Sequence, residues 1–178
     1  KICLERGDIS FKDYFEVKPH MLQILDRLDS LNRKKHLSHI DCVFDNYLFI
    51  DENTTRLIDW EYSGMADPLI DIAMCSIYSY LEKDEIDRLL DIYIFSKSNP
   101  DADDRGFDYE QSKTDLSGAV DPVQRHIVYS YVALSGFLWA LWTVYKSSFG
   151  ETFGEYSLKM YRYSKDFYKI LLDEGFFA

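Results

Sequence analysis

The chain has 178 residues, of which 47% are hydrophobic, and its formal net charge at pH 7 is -11. This composition disfavours a disordered chain and predicts one domain, with two small lobes as the alternative. The acidic balance disfavours a nucleic-acid partner, because such proteins usually present a basic face to the phosphate backbone. Cys3, Cys42 and Cys75 form an odd set without CxxC spacing, which disfavours a disulfide framework or a zinc site and favours the cytoplasm.

The first half of the chain predicts one helix and one hairpin. Leucines recur at near-helical spacing over residues 22–31, after Pro19 and before a basic patch at 33–35, which predicts an amphipathic helix with cations at its C-terminal end. Two short apolar runs, 47–50 and 56–60, flank the polar stretch DENTT and predict a β-hairpin. No other stretch gives as clear a sheet signal.

The second half predicts further helices around one polar excursion. Asp67 and Pro68 suit an N-cap and first helical position, starting a helix to about residue 81, and apolar spacing over 86–93 marks another. Residues 98–122 are polar and predict a surface excursion. Inside it, DADDRGFDYEQS resembles a calcium loop but has Arg105 at its fifth position and Ser112, not a bidentate carboxylate, at its twelfth, so no calcium site is expected.

The most apolar stretch, residues 127–145, carries no charge and is long enough to span a bilayer. Its serines, threonine and tyrosines favour a buried core helix over a membrane span. A final amphipathic helix is predicted over about residues 156–172.

Polar residues stand where an apolar strand begins and where its partner ends. His39, Asp41 and Asn46 precede the predicted hairpin, and Asp59 and Glu61 close it. Antiparallel pairing would bring the Asn46 and Asp59 side chains together. A few oxygen donors of this kind suit Mg²⁺ held against a nucleotide, and Asp41 would lie where a hydroxyl nucleophile could share its proton. Singly, each residue would also suit an ordinary turn.

Two motifs in this region carry a family resemblance. HIDCVFDNYLFI together with LIDWEYSGMADPLIDIA resembles the choline and ethanolamine kinase branch of the aminoglycoside-phosphotransferase superfamily, especially its bacterial choline kinases. Protein kinases differ, because they place Phe-Gly after the metal-binding aspartate. The resemblance covers residues 38–73 tightly. The predicted elements are mainly α with a small β-hairpin (α+β), and the resemblance implies the C-terminal lobe of a protein-kinase-like fold.

The resemblance implies a role for each polar residue. Asp41 would orient or deprotonate the substrate hydroxyl, and Asn46 and Asp59 would hold Mg²⁺ on the phosphates of the co-substrate ATP. His39 would brace the loop, and Asp71 would support it from the next helix. Phosphoryl transfer needs few groups beyond a proton acceptor and metal ligands, because its loose transition state depends on positioning and charge neutralisation.

Aromatic residues are candidates for binding the substrate. Trp139 and Trp142 are three positions apart, so they share a helix face. The resemblance implies that such rings enclose the trimethylammonium group of choline, which cannot donate hydrogen bonds and is attracted to ring faces. The alternative is that both tryptophans fill the core. The further candidates for this pocket are Tyr78, Tyr62, Glu61, Tyr156 and Tyr161. Eukaryotic members carry a glutamate near the position of Tyr78, so either the pocket is more aromatic here or the substrate differs.

An ATP-covering lobe is not evident in the sequence. Residues 1–35 contain Gly7 as their one glycine, no glycine-rich loop and no series of strands. We therefore expect residues 1–178 to form a single domain, the C-terminal lobe of a longer choline kinase, that is inactive or nearly inactive alone. The alternatives are a related hydroxyl kinase for ethanolamine, an aminoglycoside or a sugar, and a non-catalytic kinase-like binding module.

Overall fold

The computed structural model describes residues 11–98 and 120–178, so the calcium-loop-like segment lies outside the described residues. The helices in this part of the chain are α1 (Tyr14–Ser30), α2 (Leu69–Tyr78), α3 (Lys83–Ser98), α4 (Pro122–Ser147) and α5 (Tyr156–Asp173). The strands are β1 (His36–Ser38), β2 (Tyr47–Asp51), β3 (Thr54–Leu57) and β4 (Gly64–Ala66). This architecture confirms the predicted mainly α class with a small amount of antiparallel sheet.

The predicted hairpin is formed by β2 and β3. Tyr47 pairs with Leu57 at its open end, so the residues just outside this pair face each other. β3 ends earlier than expected, because Asp59 adopts a left-handed backbone (φ 62°) that leads into a 3₁₀ turn, Trp60–Tyr62. A second antiparallel sheet, β1 with β4, was missed by the sequence reasoning.

Helix α1 differs from its prediction in both start and orientation. It begins at Tyr14, so Pro19 lies inside it. Leu22 and Leu25 are 48% and 43% exposed, and the helix instead buries an adjacent face made by Tyr14, Val17, Met21, Ile24 and Leu28. The leucine spacing therefore predicted the helix but only part of the face that it buries, since Leu28 belongs to both sets.

The start of α2 lies one residue later than predicted, with Pro68 rather than Asp67 at the N-cap, but the Asp67 side chain still binds its first turn. Its Oδ1 accepts the backbone N–H of Leu69 at 3.1 Å, and its Oδ2 lies 2.7 Å from Nε of Arg33. Asp67 is 4% exposed. The cost of burying its charge is offset by the hydrogen bond from Leu69 and the ion pair with Arg33. The helix ends at Tyr78, before the expected residue 81, and Tyr80 takes φ 55° just beyond it.

Helix α4 lies at the centre of the core and packs closely on α5. It is long and apolar enough to cross a membrane, but 61% of its most apolar window is buried inside the fold. Gly136 allows the close approach, because a Cβ there would lie 2.6 Å from the Met160 carbonyl oxygen. The burial supports the predicted core helix.

Candidate active site

The loop between β1 and β2 contains a strained residue near its start. Ile40 has φ 71°, a left-handed conformation that costs a β-branched residue about 1–2 kcal/mol. The carboxylate of Asp71, in the first turn of α2, accepts the backbone N–H of Ile40 at 2.7 Å and that of His39 at 3.1 Å. These two hydrogen bonds hold the strained turn against α2, the position at which the resemblance implies a supporting aspartate.

His39 links this loop to the end of the hairpin. It is 1% exposed; its Nδ1 accepts the backbone N–H of Asp41 at 3.3 Å, and its Nε2 lies 2.8 Å from the carbonyl oxygen of Ile58. A carbonyl can only accept, so Nε2 donates the hydrogen bond to Ile58 and Nδ1 is the acceptor. The ring also contacts Trp60 edge-on, with 4.8 Å between centroids. Both nitrogens are occupied, which favours a bracing role over proton transfer.

The Asp41 carboxylate is hydrogen-bonded at one oxygen and only weakly contacted at the other. The phenol of Tyr78 donates to Oδ1 at 3.1 Å, and Nδ2 of Asn46 lies 3.4 Å from Oδ2. The same Nδ2 donates to the backbone carbonyl of Asp41 at 2.9 Å. Asp41 is half-buried, so its carboxylate still faces the cleft described below.

The hairpin brings its two predicted metal ligands to the same end. The N–H of Ile58, the residue before Asp59, donates to the carbonyl of Asn46 at 2.9 Å. Because Nδ2 of buried Asn46 is committed to Asp41, its amide oxygen is the atom left for a metal, and the Asp59 carboxylate is exposed nearby. One amide and one carboxylate oxygen fit Mg²⁺, which keeps waters and phosphate oxygens as its other ligands. Within residues 11–98 and 120–178, no three His, Cys, Asp or Glu side chains cluster as an all-protein metal cage would require.

An aromatic cleft of about 400 Å³ opens beside Asp41. The rings follow one another, with centroid separations of 5.8 Å from Tyr78 to Trp139, 5.3 Å from Trp139 to Trp142 and 5.2 Å from Trp142 to Phe153. Its lining is Asp41, Val43, Tyr62, Tyr78, Trp139, Trp142, Phe153 and Tyr156. The structure thus brings most of the predicted substrate-binding residues together around the predicted catalytic aspartate.

The charge balance of the aromatic cleft favours a cation. Asp41 is the one charged residue in its described lining. Burial raises the pKa of Tyr78, with the Asp41 charge as a further cause, and burial raises the pKa of Tyr156 to about 12. Both phenols are therefore neutral donors at pH 7. The Lys146 ammonium, which is not part of the cleft lining, lies 5.7 Å from the Trp142 ring centroid.

Two of the predicted pocket residues lie elsewhere, and two residues of the lining, Val43 and Phe153, were not predicted. Tyr161 stacks on Phe11 with 3.8 Å between centroids, because five positions on a helix turn it about 140° away from Tyr156. Glu61 is exposed and reaches the cleft only through its neighbour Tyr62, whose pKa its charge raises. Phe153 was missed because it lies in the loop before α5, although its place in an aromatic cluster with Tyr156 was visible in the sequence.

Comparisons with known proteins agree with this geometry. A model of the phosphotransferase enzyme family matches residues 6–109. Protein LicA of Haemophilus influenzae is 36% identical over 121 residues, which are 68% of this chain and 39% of that relative. The chain thus matches about two fifths of the length of this curated relative.

Solved structures show the same fold. The choline kinase LicA from Streptococcus pneumoniae is 27% identical, with a TM-score of 0.65 over 91% of this chain and 50% of that one. A structure of LicA in complex with AMP matches similarly, with 27% identity and a TM-score of 0.66 over 91% of this chain and 48% of that one. A choline/ethanolamine kinase family protein from Mesorhizobium loti, 20% identical, supports the fold with a TM-score of 0.72 over 94% of this chain and 51% of that one. The described chain therefore has the fold of one lobe of these kinase-like proteins.

Proposed function

The chain belongs to the phosphotransferase enzyme family, and we propose that it is the C-terminal lobe of a choline kinase, which transfers the γ-phosphate of ATP to the hydroxyl of choline. The observation that carries this proposal is the position of Asp41. It lines the aromatic cleft on one side and contacts Asn46, a candidate metal ligand, on the other. A bound alcohol and a bound nucleotide would therefore meet at one carboxylate.

The proposed chemistry needs three residues of this chain. Asp41 accepts or shares the proton of the choline hydroxyl as the hydroxyl oxygen attacks the γ-phosphorus and the bond between the γ-phosphorus and ADP breaks. Asn46 and Asp59 would hold Mg²⁺, which, when bound, neutralises charge on the phosphates. His39 and Asp71 keep the loop in place without touching the reacting atoms.

Two features of the aromatic cleft support a quaternary ammonium substrate. Each ring face that meets a desolvated cation contributes on the order of 1–2 kcal/mol. In addition, Trp139 Nε1 is buried without a hydrogen-bond partner in the described part of the chain. A buried donor left in this state costs about 1–3 kcal/mol. A tryptophan whose buried indole N–H stays unpaired fits a ligand-binding surface better than ordinary packing in the core.

The competing substrates need a different lining. A primary amine, an aminoglycoside or a sugar is recognised through several hydrogen-bond acceptors. Among the described lining residues, Asp41 is the one carboxylate, and the rest of the lining is aromatic apart from Val43. This supports choline over ethanolamine and over the hydroxyl-rich alternatives.

The rest of the nucleotide site is proposed to come from a separate lobe. Support comes from the matches, which span about half of the solved kinase structures. We expect the 178-residue chain alone to release no ADP in the presence of choline. The parent would act in the cytoplasm, where ATP is available, and the free thiols of Cys42 and Cys75 suit that reducing compartment.

The test is substrate dependence in the full-length protein. ADP release would be measured with ATP, Mg²⁺ and, in turn, choline, ethanolamine, an aminoglycoside and a sugar, and calorimetry would give each affinity. We expect choline to give the highest kcat/KM. If another of these substrates binds and turns over while choline does not, the choline assignment is wrong. If none supports ADP release but choline binds in calorimetry, the non-catalytic binding module is the better assignment.

A further inference from the structure

Tyr78 connects the aromatic cleft to Asp41. Its phenol donates to Asp41 Oδ1 at 3.1 Å, while its ring lies 5.8 Å from that of Trp139 in the cleft wall. It is the last residue of α2, the helix whose first turn carries Asp71. Both ends of this short helix therefore contact the loop. Asp71 accepts the backbone N–H groups of residues 39 and 40, and Tyr78 donates to the side chain of residue 41.

We propose that Tyr78 is a positioning residue, which fixes the rotation of the Asp41 carboxylate so that Oδ2 faces the substrate hydroxyl. This inference rests on the proposed function, because it gives separate roles to the two carboxylate oxygens of the proposed catalytic aspartate. Oδ1 is occupied by the phenol. Among residues 11–98 and 120–178, the hydrogen bond found at Oδ2 is the weak 3.4 Å approach of the Asn46 amide nitrogen, which leaves a lone pair for the incoming alcohol.

Three properties make the phenol suitable for this task. Burial raises the pKa of Tyr78, so the phenol keeps the proton that it donates to Asp41 across the physiological range. The side chain is half-buried and its ring is packed against Trp139, which limits its own rotation. The phenol also carries no charge, so the negative charge of Asp41 is not neutralised and can attract both the substrate cation and its hydroxyl proton.

The test is Tyr78→Phe in the full-length protein, which keeps the ring and removes the phenol oxygen. We expect kcat for choline phosphorylation to fall about tenfold or more, since a hydrogen bond to a charged group is lost. The Kd for choline should stay within about twofold, because the cleft wall is unchanged. Tyr163→Phe is the matched control: its phenol donates to the Leu81 carbonyl at 3.0 Å outside the cleft, and kcat should not change.

A double-mutant cycle separates positioning from a general structural effect. In an Asp41→Asn background, Tyr78→Phe should have little further effect on kcat, because the group that it positions has lost its function. Independent, additive losses would overturn the proposal. So would an unchanged kcat in Tyr78→Phe, or a loss confined to choline affinity. If the unsubstituted full-length protein phosphorylates no amino alcohol, the proposed function fails first, and that result is distinct from either outcome for Tyr78.

Discussion

Replacing Asp71 with Asn should destabilise the fold through one identifiable turn. The carboxylate accepts two backbone N–H groups, from His39 at 3.1 Å and from Ile40 at 2.7 Å. Hydrogen bonds to a charged group contribute about 1.5–3 kcal/mol each. Asparagine keeps one acceptor oxygen and turns an NH₂ group toward the other N–H, so about one bond is lost. We expect the free energy of unfolding to fall by about 2–3 kcal/mol.

Urea unfolding of the chain, followed by tryptophan fluorescence, would measure this change. The matched control is Asp45→Asn, an exposed aspartate in the same loop, for which we expect less than about 0.5 kcal/mol. The penalty should shrink in an Ile40→Gly background, because glycine adopts φ 71° without strain. Equal losses for Asp71→Asn and Asp45→Asn would refute the argument that Asp71 restrains the loop.

Three further predictions concern packing, pH and the aromatic cleft. Gly136→Ala should lower the free energy of unfolding by about 1–3 kcal/mol in urea titrations, because its Cβ would lie 2.6 Å from the Met160 carbonyl, and no change would show that the two helices can separate. The pKa of Asp13 is lowered, mainly by its hydrogen bond from Lys165, so its stabilisation is complete above its ordinary pKa and is lost as pH falls through the lowered value. Asp13→Asn should therefore lower the melting temperature at pH 7 and have less effect in acid; an equal effect at both pH values would contradict this. Trp142→Ala in the full-length protein should weaken choline binding about tenfold in calorimetry with kcat largely retained, and unchanged affinity would remove this ring from the site.

The open end of the hairpin was predictable because it depends on residues that are close together in the sequence. Asn46 and Asp59 flank two short strands, and antiparallel pairing alone requires their ends to meet, as the hydrogen bond from Ile58 to Asn46 shows. The pairing of β1 with β4 was not predictable in this way. Each strand is three residues long, too short for an alternating pattern, and the two are far apart in the sequence.

The orientation of side chains was harder to predict than the position of helices. Leu22 and Leu25 have the right spacing for a buried face, yet α1 is rotated to bury Ile24 instead, since tertiary packing decides between neighbouring faces. Tyr156 and Tyr161 were both candidates from the last helix, although a separation of five residues places two side chains on different faces. The helical period alone would have excluded one of them from the cleft.

The most direct test of the account is Asp41→Ala in the full-length protein, with kcat and choline affinity measured separately. The proposed role predicts that kcat falls by about 10²–10⁴, because the acceptor of the hydroxyl proton is removed. It also predicts that choline affinity changes by only a few-fold, because the aromatic rings that would hold the cation remain in place. Turnover that survives this substitution would contradict the assignment of Asp41 and, with it, the proposed phosphotransfer site.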